Sequence, residues 1–432
     1  MKNNILKGLK KLTGYLFNTY SIEPDFEGVT GYLKENDLKP EECLRRKDFR
    51  GEKAFTIDCA ECKDMDDAVS IIKTSIGYRL GVHIADVATY IPFGSELDEI
   101  ANDRATSIYL PHRTVPMLPK VLTNDCCSLN PGVERYTLSV IIHIDFKGKI
   151  KRTEITKGKI KSRVKGIYSE VNQIFDGTAD KNVIKKYEKV YDDLFVMSEL
   201  YKVLRDKRIR LGANTEDSDK PKISVSKDHV ELIPNKEGIA ENMIEEFMII
   251  TNQVVAEYLY NNDLPAVYRI QEEKNDMAAY VPVKSHHADM ALESYTHFTS
   301  PIRRVADLKN HQILTMHLNG VSNKCIHDMF DEILPDICER ATKRSRTVRQ
   351  IQENCEKYCY EQFFMLHKDN KYEGEVTGFN CKNQPIVKVK NYNINVIGYA
   401  LINVTIGDNY SFNVSVSHSN KLFACNPKKL AA

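Results

Sequence analysis

Between Phe55 and Val69 the chain reads Phe-Thr-Ile-Asp-Cys-Ala-Glu-Cys-Lys-Asp-Met-Asp-Asp-Ala-Val, so Asp58, Asp64, Asp66 and Asp67 fall within ten residues. Apolar text lies on both sides, Phe55-Thr56-Ile57 before and Ala68-Val69-Ser70-Ile71-Ile72 after. Both flanks have the pattern of buried strands. A short acidic run is in most chains a solvated surface loop. Here the carboxylates sit between segments that want to be buried, where unpaired charge is costly. Carboxylates this close also repel, and adjacent Asp66 and Asp67 would not both stay ionised unaided. A hard, oxygen-seeking divalent cation resolves the conflict, and magnesium is the usual one. A carboxylate-held metal pair suits in-line displacement at phosphorus, where attacking and leaving oxygens both need a cation.

The chain has 432 residues, which at about 150 residues per domain predicts two or three domains. Lys plus Arg number 61 and Asp plus Glu 60, so net charge carries no sign of nucleic acid and any basic surface must be local. There is no tryptophan, but 22 tyrosines and 16 phenylalanines are available for stacking. Eleven cysteines without an export signal read as reduced intracellular thiols in a cytoplasmic protein. The basic start Met1-Lys-Asn-Asn-Ile-Leu-Lys-Gly-Leu-Lys-Lys-Leu12 is not followed by the apolar stretch of a signal peptide. No run approaches the roughly 20 apolar residues of a membrane span. Ile5, Leu9, Leu12 and Leu16 share one helical face. A docked amphipathic helix is expected there, with a membrane-surface or RNA-touching arm as the alternative.

Residues 1–50 read as a short N-terminal extension and 51–370 as an α/β catalytic domain. Strands are expected at Tyr78–Ile84 and Leu138–Asp145, and helices over 183–210, 239–262 and 325–368. The stretch Asn214–Lys222 reads as a polar turn. The run Arg340–Arg349 in the last helix is strongly basic. It reads either as a solvated face or as a face for phosphates. From Tyr372 onward short alternating strands appear, Tyr372–Gly378, Pro385–Lys390 and Tyr410–Val416. Residues 371–432 are therefore expected to form a small OB-type β-barrel.

A second block reads Tyr295-Thr-His-Phe-Thr-Ser-Pro-Ile-Arg-Arg-Val305. Ser300-Pro301 predicts a helix start, with Ser as N-cap and Pro at the first helical position. Arg303 and Arg304 then fall in the first turn, where positive charge opposes the helix dipole. A phosphate nearby would compensate, accepting from the arginine fork and the free backbone donors. The alternative is a pair of arginines salt-bridged to core-edge carboxylates. In a third block Tyr109 precedes a proline-stiffened loop, Pro111 to Pro119. Local reading makes it a packing tyrosine, though a base could stack on it.

Together these blocks resemble the ribonuclease II/ribonuclease R (RNB-domain) exoribonucleases. Thr56–Ala68 follow that family's aspartate signature in register. His83-Ile-Ala-Asp-Val87, Ser107-Ile-Tyr-Leu-Pro111, Val115-Pro-Met-Leu-Pro119, Ile244-Glu-Glu-Phe-Met248 and His297-Phe-Thr-Ser-Pro-Ile-Arg-Arg304 match further elements in order. The resemblance implies a mixed sheet surrounded by helices. It implies hydrolysis of single-stranded RNA from the 3′ end to nucleoside 5′-monophosphates. The implied cofactor is magnesium, as a pair of ions, with manganese as a substitute. Asp58, Asp64, Asp66 and Asp67 would hold the metals, with Asp66 closest to cleavage itself. Arg303 would act on the scissile phosphate, Arg304 would join it in holding RNA, and Tyr109 would stack on the terminal base. The family glutamate that packs on that base falls near Gln352 and Glu353, and spacing does not choose between them.

Cys59 stands where the family has proline, and Val305 where it has a large residue. Cys59-x2-Cys62 superficially resembles a zinc or redox pair, but no second such pair exists. Fifty residues ahead of the catalytic domain are too few for the family's cold-shock barrels. A monomer is expected, with room for an accessory RNA-binding protein or helicase. Two rival readings stay open: a catalytically silent RNA-binding regulator, and an exonuclease active only within a complex.

Overall fold

In the computed structural model, which describes residues 4–26, 46–215, 220–235, 237–399, 401, 403–417 and 421–430, the apolar flanks of the aspartates pair with each other. Phe55 N–H donates to the Val69 carbonyl at 3.1 Å and Val69 N–H returns the bond at 2.9 Å. The second flank continues as the strand Asp67–Thr74, which forms the edge of a five-stranded sheet. Next come Gly77–Ala85, Glu134–Asp145, Ile150–Lys161 and the short Lys47–Asp48. All neighbours are antiparallel except the last pair. Gly77–Ala85 is buried at eight of nine positions, which explains its near-continuous apolar run (Val-His-Ile-Ala) where a half-exposed strand would alternate. A separate parallel pair joins Thr56–Asp58 to Lys165–Ile167.

Helices cover this sheet. Tyr191–Arg210 packs on Asp67–Thr74, and Ile239–Asn261 packs on Tyr191–Arg210. Glu246, in the Ile244–Met248 motif, is buried and accepts a fork from Arg208, with Nε at 2.8 Å and Nη2 at 2.8 Å. The helix expected over 183–210 is two helices, Lys181–Tyr187 and Tyr191–Arg210. Tyr187 makes the break: its hydroxyl accepts from Ile167 N–H at 2.7 Å and donates to Glu170 at 2.7 Å. The tract expected over 325–368 also divides, into Asn323–Phe330 and the long helix Leu334–Leu366. Pro335 lies in the long helix's first turn, where proline is tolerated but cannot continue an earlier helix. Residues 216–219 of the expected polar turn lie outside the described residues.

A second core forms away from the sheet. The helix Ile5–Thr19 buries Ile5, Leu9 and Leu16 there, as its amphipathic spacing implies. They meet Val348, Ile351, Cys355 and Phe364 of the long helix, and Ile108 and Leu110 beside Tyr109. The same core continues into a closed barrel. Its strands run Tyr372–Phe379, Pro385–Val389, Ile394–Ile397, Leu422–Lys429 and Asn409–Val416 in that spatial order. The third and fifth strands in chain order pair in parallel, the OB-type arrangement. The fold is thus the expected mixed α/β architecture followed by a small barrel. Among the described residues no helix is long and apolar enough to cross a membrane.

Two fully buried histidines make the fold sensitive to acid. His83 Nε2 lies 3.1 Å from Ser70 Oγ and its Nδ1 2.9 Å from Ser139 Oγ. Burial pushes it down to about 4, reinforced by Arg79 and opposed by Glu52. His311 stacks on Phe298 and bonds its carbonyl at 2.8 Å, and burial pushes it too down to about 4. The unfolded chain therefore takes up these protons first, near the ordinary value of about 6.5. Their neutral-state stability is complete above that pH and is lost as pH falls towards 4, by up to about 3 kcal/mol each. Asp58 and Asp66, raised to about 7, act in the opposite sense over the same range, so the test is a difference between two proteins. The urea midpoint of the parent relative to His83→Asn should fall between pH 7 and pH 4.5, and a difference that does not change with pH would contradict this origin.

Candidate active site

Asp58 ends the strand Thr56–Asp58, and a four-residue turn, Cys59 to Cys62, follows, closed by Cys62 N–H to the Cys59 carbonyl at 3.2 Å. Lys165, from the partner strand, clamps that turn, with Nζ 2.6 Å from the Cys62 carbonyl. Ser128 fastens the next stretch: its Oγ donates to the Lys63 carbonyl at 2.8 Å and accepts from Met65 N–H at 3.2 Å. These anchors leave the backbone of Asp64 to Asp67 little freedom. Asp66 is 4% exposed; Asp58, Asp64 and Asp67 are half-buried.

The arginine block arrives from the opposite side of the chain. The helix begins at Val305, with Arg304 as its cap residue, four residues later than Ser300-Pro301 predicts. The physical reason is Asp307. Its Oδ1 accepts from Ser300 N–H at 2.8 Å, and both its oxygens take Arg304's fork at 2.8 Å. Ser300 to Arg304 is thereby held as a turn outside the helix. Arg304 is thus committed to a buried carboxylate, the alternative its neighbourhood in sequence had left open. Arg303 is differently placed. Its Nε lies 3.3 Å from Asp66 Oδ2, its Nη2 donates to Ser300 Oγ at 2.8 Å, and its side chain is 42% exposed. Ile302 N–H donates to Asp66 Oδ1 at 2.9 Å. The anion that the turn's free donor attracts is therefore Asp66 itself.

Tyr109 lies on the hairpin formed by Ile108–Leu110 and Arg113–Val115. Its neighbours Ile108 and Leu110 are anchored in the second core, while Tyr109 is 40% exposed. Its hydroxyl donates to Asp64 Oδ2 at 3.1 Å. Ser107 N–H donates to the Arg303 carbonyl at 3.0 Å, so the hairpin is tied to the arginine turn. Gln352 Nε2 donates to the Tyr109 carbonyl at 3.0 Å, whereas Glu353 pairs with Arg349 at 2.9 Å. Gln352, and not Glu353, is the long-helix residue against Tyr109. In the basic run, Arg344 and Arg340 reach Asp103, while Lys343 and Arg346 line a cavity of 630 Å³ beside Tyr280 and Pro282.

The carboxylates disturb one another. Burial, with Asp66, Cys59 and Asp64 adding to it, pushes Asp58 up to about 7. Burial also raises Asp66 to about 7, against the opposing pull of Arg303 and Ile302 N–H. Asp67 rises to about 8 through burial and Asp58. Burial and Arg304 oppose the charge on Arg303, yet Asp66 and Tyr109 hold it above its ordinary value. One arginine does not neutralise this group. Asp58 Oδ2 is moreover buried with no hydrogen-bond partner. An unpartnered carboxylate oxygen beside mutually repelling carboxylates is a donor set that fits a hard divalent cation. Among the described residues no group of three or more His, Cys, Asp or Glu is placed to hold a metal ion. Magnesium does not need one, since it binds through one or two carboxylates together with water and substrate phosphate oxygens.

The fold thus gathers Asp58, Asp64, Asp66, Asp67, Arg303 and Tyr109 around one locus and turns Arg304 away towards Asp307. Two contributors carry no signal in the sequence pattern: Ser128 and Lys165 each act through one side-chain polar atom. Asp307 was legible only as a charge three residues after Arg304.

Known proteins resemble the chain in sequence and in fold. Residues 46–279 and 275–320 match the RNB domain. Ribonuclease R 1 of Lactococcus lactis is 33% identical over 405 residues, covering 81% of this chain and 49% of the relative. Ribonuclease R of Thermotoga maritima is 34% identical over 374 residues, covering 73% and 52%. Mycoplasma genitalium RNase R, in complex with ribose methylated single-stranded RNA, has the same fold, with a TM-score of 0.79 at 23% identity over 99% of this chain and 75% of that one. The chain spans about half the length of the curated relatives it matches. With the aspartate loop, the arginine turn and the tyrosine hairpin brought together on this fold, the chain belongs to the RNB-domain family of ribonuclease II and ribonuclease R.

Proposed function

We propose that this chain is a magnesium-dependent exoribonuclease that hydrolyses single-stranded RNA from its 3′ end to nucleoside 5′-monophosphates. The observation that carries the reading is the meeting of Asp66 with Arg303 at 3.3 Å inside a carboxylate group with an unpartnered oxygen. Such a group has a place for a cation, and next to it stands a partly exposed arginine for a phosphate. Asp58, Asp64, Asp66 and Asp67 would hold the metal, with magnesium or manganese as the ion. When bound, the ion supplies positive charge for the phosphate oxygens and acidifies a water near neutral pH.

The chain's own residues do the rest. Arg303 is held by Asp66 and Ser300, so its guanidinium meets a phosphate already oriented and loses little freedom doing so. Asp66 accepts the Ile302 N–H, which fixes the carboxylate against that arginine. Tyr109, braced by Asp64 and Gln352, offers an exposed ring on which the 3′-terminal base stacks. Arg304 serves by holding Asp307 and hence the turn, and contributes to RNA contact through that positioning. Retention of all four aspartates and Arg303 supports the enzymatic reading over the silent regulator.

Magnesium with uniformly labelled single-stranded RNA should yield nucleoside 5′-monophosphates, and chelation of the metal should stop their release. Cyclic or 3′-phosphate products would refute the hydrolytic scheme. Tyr109→Ala should change the length of the final resistant fragment more than it changes affinity for long RNA. A stacking loss of about 1–3 kcal/mol weighs most when few nucleotides remain bound. An unchanged end fragment would count against the clamp.

A further inference from the structure

The turn between Asp58 and Asp64 carries two thiols that the proposed chemistry does not use. Cys59 is exposed and Cys62 half-buried. The bond from Cys62 N–H to the Cys59 carbonyl, 3.2 Å, closes a β-turn, which keeps the two Cα atoms within about 7 Å. A disulfide needs a Cα separation of roughly 4.4–6.8 Å. The Cys62 thiol lies near the carboxylates on either side, 3.9 Å from Asp58 Oδ1 and 3.6 Å from Asp64 Oδ1, two of the residues assigned to the metal.

We propose that Cys59 and Cys62 are a reversible oxidation site, closed to a disulfide by peroxide and reopened by a dithiol, that switches the aspartate loop off. Solvent reaches Cys59, and a resolving thiol stands beside it, the arrangement of a redox-sensing cysteine. In the first step the Cys59 sulfur takes one oxygen from hydrogen peroxide, giving the sulfenic acid and water. In the second, the Cys62 sulfur attacks the Cys59 sulfur. The sulfur–sulfur bond forms, and the hydroxyl leaves as water with the Cys62 proton. Two thiols lose two electrons, and one peroxide becomes two waters. A dithiol returns both electrons and both protons.

The link acts on the site because it removes the Cys62 S–H. Asp58 Oδ1 and Asp64 Oδ1 lose the one thiol donor they share, and the sulfur is drawn towards Cys59. The loop that positions both carboxylates is then pinned in another shape. This consequence rests on the exoribonuclease reading; formation of the link does not.

The test treats the full chain with hydrogen peroxide, maps its peptides without reduction, and follows cleavage of labelled RNA in parallel. The Cys59–Cys62 link should form before any change at Cys381, the other exposed cysteine among the described residues. Cleavage should fall more than tenfold, and dithiothreitol should restore it. Cys59→Ser should keep its cleavage under the same treatment. Absence of the link, a link without loss of cleavage, or equal loss in Cys59→Ser would each overturn the proposal. If the reduced chain cleaves no RNA, the exoribonuclease reading fails, while the peptide map still decides whether the site exists.

Discussion

Asp66→Asn is expected to slow RNA cleavage by about a thousand-fold, equivalent to ~4 kcal/mol of transition-state stabilisation, with RNA affinity within a few-fold of the parent. The substitution keeps the shape of the side chain and an oxygen for Ile302 N–H, which holds Asp66 at 2.9 Å. It removes the charge that faces Arg303 at 3.3 Å and one of the carboxylates assigned to the metal. Folding should not suffer. Burial already raises Asp66 to about 7, and Asp67 adds repulsion, so a neutral side chain there relieves strain. Single-turnover cleavage, filter binding and thermal melting on the two proteins separate these effects. A rate within tenfold of the parent would contradict the role, as would parallel loss of affinity.

The largest effect on stability is expected at Lys309. Its ammonium is buried and donates to both oxygens of Asp98, at 2.6 and 2.8 Å. Gln312 Nε2 and Gly94 N–H complete the set at 2.8 and 3.0 Å. Burial pulls Lys309 below its ordinary value, and Asp98 opposes that pull. Lys309→Met would strand the Asp98 carboxylate in the core. Breaking one side of such a pair costs about 3–5 kcal/mol, which for a chain of this length corresponds to a melting point lower by roughly 3–6 °C. Adding Asp98→Asn should recover part of the loss, because no unpaired charge then remains buried. A double variant no more stable than Lys309→Met would refute the pairing argument. The contact joins the helix Glu96–Arg104 to Val305–Leu318, the two elements that lead into the tyrosine hairpin and out of the arginine turn.

What was legible in the sequence follows physical range. The strands around the aspartates could be read because a buried sheet imposes its pattern on every residue in it. The docked helix Ile5–Thr19 was legible for the same reason at helical period. The helix start at Ser300-Pro301 misled because local capping preference is weaker than Asp307, which captures Ser300 and Arg304 together. The same bond explains why two adjacent arginines have different surroundings. Local reading of Tyr109 gave a packing residue. Its exposure comes instead from a hairpin whose neighbours Ile108 and Leu110 fasten to a distant core. That Gln352 rather than Glu353 meets the Tyr109 carbonyl depends on a contact across 243 residues, beyond any spacing rule. Ser128 and Lys165 shape the aspartate loop through one side-chain atom each and leave no periodic trace.

Directional hydrolysis at this site is tested by one gel. Single-stranded RNA labelled at its 5′ end is incubated with the chain and magnesium, and samples are resolved by length over time. A ladder that shortens from the 3′ end is expected, with the label retained on the fragments until the shortest product. Tight binding with the RNA left intact, internal cuts, or release of a labelled mononucleotide at the outset would contradict it.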